Sequence, residues 1–169
     1  MSEPSAAEDL RRGTVKRVHG FDDWPGRDGP PLAAEFLPDH SELRPLTFIR
    51  RDALPDAGRA FIDHLSGPPG TSVAVRLRQY PTAADAHEAL VDVLTMVMAP
   101  RLPHCAERGA EPVGDVCFCG LAEPIETTFF VRANVLVRIH NTGERPVAVT
   151  ALAAALDRQI QRVPRSATS

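Results

Sequence analysis

Three cysteines and a histidine, His104-Cys105 and Cys117-x-Cys119, are the residues whose types most directly could do chemistry. Thiolate and imidazole are soft ligands that suit zinc. The spacing does not: structural zinc sites use a longer spacer between cysteines so that the chain can curl round one ion. A C-x-C pair on a strand puts both sulfurs on one face about 6.5–7 Å apart, too far for a single tetrahedral ion. Unpaired cysteine usually behaves as a small buried hydrophobe. That is the favoured reading, and it calls for no cofactor. A zinc or thiol-dependent site on His104, Cys105, Cys117 and Cys119 is the alternative.

Catalytic chemistry has less to build on. His19 with Asp22-Asp23 could bind a divalent cation or move a proton, but DDWPG reads more simply as an acidic turn with an aromatic anchor. Asp63-His64 reads as a solvated helix end, and His87 lies off its helix's apolar stripe, an exposed position. No nucleophile elbow, phosphate loop or dinucleotide-binding glycine pattern occurs, so no residue is assigned a catalytic role.

The remaining constellation is a set of arginines. Lys16 is the one lysine among 19 basic residues; with many alanines and prolines, this points to a GC-rich coding sequence of bacterial type. Arg76 and Arg78 alternate with Val73, Val75 and Leu77, so one strand face is basic and the other apolar. If that strand neighbours the segment holding Arg132 and Arg138, one sheet face carries a row of guanidinium groups among Tyr80, Phe129 and His140. Arginine with aromatics is a common makeup of recognition surfaces.

The elements that must position these groups follow from pattern. Thr127 to Arg132 and Val135 to His140 are rich in β-branched and aromatic residues, and Ala133-Asn134 makes a tight hairpin between them. The register sets Phe130 opposite Val137 and Thr128 opposite Ile139. Phe130, Val135, Val137 and Ile139 form the core face. Phe129, Val131, Leu136, Arg138 and His140 form a mixed face, to be covered by another element or a partner. Thr82 with Asp85 resembles a capping box and opens a helix whose stripe is Ala86, Leu90, Val93, Leu94 and Val97. Val147 to Gln161 is a second helix, with Val149, Leu152, Leu156 and Ile160 on its stripe. Thr14 to Val18 and Leu46 to Arg50 read as strands, and Asp56 to Leu65 as a short helix or, from Arg59, a strand.

The length of 169 residues suits one domain. The expected fold is α+β: a single, mostly antiparallel sheet of about five strands with two or three helices packed on one face. Residues 14–163 form the domain, between flexible termini at 1–13 and 164–169. A net charge of -3 argues against nucleic acid. The polar, acidic start lacks a secretory pattern, and no apolar run has the length of a membrane span, so a cytoplasmic protein is expected. The functional expectation is a non-enzymatic binding or accessory protein. It would bind a protein partner or a second copy of itself through Arg76, Arg78, Phe129, Val131, Leu136, Arg138 and His140.

Overall fold

The expected hairpin forms two inner strands of the sheet. The computed structural model describes residues 5–55, 59–97 and 99–167. Its strands are β1 (Thr47–Ala53), β2 (Arg59–Ser66), β3 (Ser72–Gln79), β4 (Val116–Cys119), β5 (Thr127–Arg132) and β6 (Val135–Asn141). They form one antiparallel sheet in the order β1-β2-β3-β6-β5-β4. Three helices accompany it, α1 (Ala6–Val18), α2 (Ala83–Met96) and α3 (Thr150–Arg162). The class is α+β, as expected, with one more strand.

The β5–β6 register pairs Phe130 with Val137 and Thr128 with Ile139. Ala133 takes the left-handed conformation at φ 56°, unusual for a residue with a Cβ. Asp115 accepts a 2.7 Å hydrogen bond from its backbone N–H, and Asn134 bonds outward to the Tyr80 carbonyl and the Leu32 N–H. The turn is therefore held from outside.

Both faces of this hairpin carry core residues. Phe130, Val135, Val137 and Ile139 pack with Leu152, Leu156 and Ile160 of α3, and with Leu32, Phe36 and Leu43 from the Pro-rich segment. Phe129, Val131 and Leu136 pack with Leu90, Val91 and Leu94 of α2, and with Trp24 and Phe118. The helices thus divide between the two faces instead of sharing one. Because side chains alternate along a strand, a strand pair apolar at both odd and even positions needs a cover on each side.

Three segments differ from expectation. Asp56 of the expected short helix lies outside the described residues, and the segment from Arg59 to Ser66 is β2. Phe61, Asp63 and Leu65 alternate inward, and Asp63 is kept buried by Arg51 (2.6 and 2.8 Å) and His40 (2.7 Å). Thr14 to Val18 is helical and belongs to α1, which begins within the stretch expected to be flexible. Ser5 and Glu8 cap it reciprocally. It buries no residue and is held to α2 by Lys16 on Glu88 (2.7 Å) and by Arg12 on Glu88 and Asp92. At the other end, Arg165 bridges to Leu32 and the Ser166 N–H bonds to the Pro31 carbonyl at 2.8 Å. Among the described residues no helix is long and apolar enough to cross a membrane.

With a core on each face, Leu90→Ala and Leu156→Ala should each lower unfolding free energy by about 2–5 kcal/mol, read by urea denaturation. A near-neutral result for either would show that its helix does not anchor that face.

Candidate functional site

α2 covers β5 and part of β6 and leaves the part of its sheet face over β1 to β3 open. In that open part β3 and β6 bring Arg76 directly opposite Arg138, Arg78 opposite Leu136, and Ala74 opposite His140. From β2, Ile62 stands opposite Arg76 and His64 opposite Ala74. A groove of about 270 Å³ runs where this face meets the flank of α2. Arg76, Arg78, Arg138, Tyr80, Leu136 and Met96 line it. The Arg78 guanidinium lies 4.7 Å from the Tyr80 ring centre, a cation–π contact.

The three arginines of the groove are unpaired among the described residues. Among the described residues, Arg76, Arg78 and Arg138 have no carboxylate within 4 Å, and the buried Nε of Arg76 has no hydrogen-bond partner. Several arginines elsewhere are matched. Arg132 grips Asp157 with two bonds of 2.7 and 2.8 Å and reaches Asp115 at 3.1 Å; Arg51 grips Asp63, Arg162 grips Glu42, and Arg108 pairs with Glu123. The mismatch marks the titrating groups nearby. Burial and the adjacent Arg76 lower the pKa of Arg138. Shielding of the His140 ring from water, together with Arg138, Arg76 and His64, lowers that of His140. Burial raises the Tyr80 hydroxyl, against the pull of Arg78.

Of the residues expected to bind a partner, Arg76, Arg78, Leu136 and Arg138 meet in the groove, and His140 stands on the same face beyond it. Phe129 and Val131 belong to the core beneath α2. Arg132 points to the α3 face, as its place opposite Val135 requires, and so leaves the arginine row. The groove's second wall is Val93, read as part of the apolar stripe of α2, with Ala89, Asp92 and Met96, which were missed. Ala89 and Met96 recur at helical spacing with Val93 along one edge of that stripe, which is the signal that could have found them.

Compared with known proteins, this chain matches no family model, no curated protein and no solved structure.

The cysteines come together differently from either expectation. A bridge between His104 and Phe118 draws the preceding loop onto β4, and Cys105 and Cys117 form a disulfide, their Cα atoms 5.6 Å apart. Cys119 is buried and free, its thiol pushed up in pKa by burial. His104 packs tilted against Phe118 with ring centres 4.3 Å apart. With two sulfurs bonded to each other, the four residues do not form a zinc ligand set in this structure, and among the described residues no group of three or more metal-ligating side chains is gathered.

The histidines are placed structurally. His87 is fully buried, not exposed, with its ring nitrogens 2.8 Å from the Ala83 carbonyl and 3.0 Å from that of Pro25. His64 bonds to Asp52 at 2.8 Å. His19 is buried apart from the exposed Asp22 and Asp23. Its Nδ1 lies 2.9 Å from the Val15 carbonyl, and Nε2 accepts a 3.1 Å bond from the Leu102 N–H. That pattern requires the neutral ring, and burial lowers its pKa.

Two outcomes follow. Like charges directly opposite on paired strands destabilise, so Arg138→Met, which keeps the apolar stem, should raise stability by about 0.2–1 kcal/mol at low salt; a loss would mean that Arg138 is matched. The unfolded chain takes up the His19 proton near pH 6.5, while the folded chain resists it to lower pH. The stability contributed by neutral His19 is therefore fully present above about pH 6.5 and is lost as pH falls through the folded value. Thermal melts between about pH 7 and pH 5 should show Tm falling with acid, less steeply in His19→Gln; an unchanged slope would contradict this.

Proposed function

We propose that the protein is a non-enzymatic binding protein, an accessory to a protein partner that it engages through the arginine-bearing half of the sheet face beside α2. One observation carries the reading. Arg76 and Arg138 stand directly opposite each other on a partly open face, with no carboxylate within reach among the described residues. Folding this way holds repulsion that an acidic partner would relieve. Charge complementarity of this kind sets specificity and encounter rate more than affinity. The exposed Met96 beside it, 68% accessible, is apolar surface of the kind that association covers.

The test compares proteins retained by the immobilised wild-type chain and by an R76A/R138A chain, at low and high salt. The reading predicts a partner held by the wild type at low salt and lost both at high salt and on substitution. Identical retained sets for the two chains would overturn it. Light scattering closes the remaining route: concentration-dependent dimers dispersed by R138E would make the partner a second copy of this chain.

A further inference from the structure

The groove has a chemistry more specific than its charge. Arg76 and Arg138 sit side by side on neighbouring strands, and the buried Arg76 Nε lacks an acceptor. A guanidinium presents a planar fork of donors that matches a carboxylate through two parallel bonds. The volume, about 270 Å³, lies below the roughly 300–1,000 Å³ of small-molecule and cofactor sites. It suits one or two side chains of a peptide better than a nucleotide. The wall facing the arginines is apolar: Leu136 and Val93 are buried at its base, Tyr80 is half-buried, and Met96 stands open at the rim. Methionine adapts to varied apolar shapes. Asp92 also lines the rim, with its charge offset by Arg12. A carboxylate beside it meets less repulsion than a doubly charged phosphate would.

We infer that the groove recognises an acidic–hydrophobic peptide segment: a carboxylate side chain of the partner seats between Arg76 and Arg138, and a bulky apolar neighbour seats against Tyr80, Val93 and Met96. This rests on the binding function proposed above and names what the partner presents. Arg78, exposed and turned over Tyr80, positions the ring that forms the apolar seat.

The probe is a capped peptide alternating aspartate with leucine and phenylalanine, titrated into the full-length ¹⁵N-labelled protein while the Arg76 Nε–H resonance is followed. Controls are the same peptide with asparagine for aspartate, the same peptide with phosphoserine for aspartate, acetate, and inorganic phosphate. The expected result is a saturable shift of the Arg76 signal, with the acidic peptide binding roughly tenfold or more tightly than its amide version. R138Q should lose this difference while its backbone spectrum shows the fold intact. Equal binding of the acidic and amide peptides would overturn the inference, as would saturation by acetate or phosphate as tight as by the peptide. Tighter binding of the phosphoserine peptide would overturn the preference for carboxylate. If Arg76 does not respond while R76A/R138A still loses the retained partner, only the peptide anchor fails. If both tests are negative, the binding surface itself is wrong.

Discussion

Phe130 and Val137 face α3 while Val131 and Leu136 face α2, so the hairpin strands β5 and β6 are apolar on both sides. Such a pair is stable only where something covers each face. α3, the Pro-rich segment and the Cys105–Cys117 link meet one requirement; α2, with Phe21, Trp24 and Leu102, meets the other. The covers are unequal in width. On the α3 face the layer extends to β2, where Leu65, Phe61 and the ion-paired Asp63 are buried. On the α2 face one helix spans only part of the sheet, and β1 to β3 keep an open surface.

Charge placement follows the same division. Where the sheet is closed, arginines are matched: Arg132 on Asp157 and Asp115, Arg51 on Asp63. A buried charge without a partner is strongly destabilising, and each of these has one. Where the sheet is half open, Arg76 and Arg138 share a position across the strand pair with no carboxylate within 4 Å among the described residues. Arrangements that hold repulsion in the free state are what a binding surface retains at the expense of stability. The groove beside them is the place where charge, aromatic surface and exposed apolar surface coincide.

Much of this was legible in the chain. Alternation from Ser72 to Gln79 set Arg76 and Arg78 on one face; the residues of the hairpin set its register; Thr82 capping the Asp85 N–H at 3.0 Å began α2 where the sequence places it. What was not legible depended on tertiary context. α1 buries nothing, so no apolar stripe announces it, and its valines read as strand. In β2 the inward Asp63 interrupts the apolar pattern, and only Arg51 and His40, far apart in sequence, explain it. His87 is buried because Pro25 crosses α2. The disulfide requires the loop to fold back onto β4, which no spacing rule foresees. The arginines of the site and Tyr80 were readable for the same reason as the strands; Val93 and Met96 were not placed beside them, because only the packing of α2 against β6 brings them alongside.

The central claim is that the arginine face is electrostatically unbalanced in the free protein. A double-mutant cycle on R76M and R138M, by urea denaturation at low salt, tests it most directly. The account predicts a repulsive coupling: R138M stabilises when Arg76 is present, and this gain disappears or reverses when residue 76 is already methionine. Equal effects of R138M in both backgrounds, or a favourable coupling between the two arginines, would contradict it.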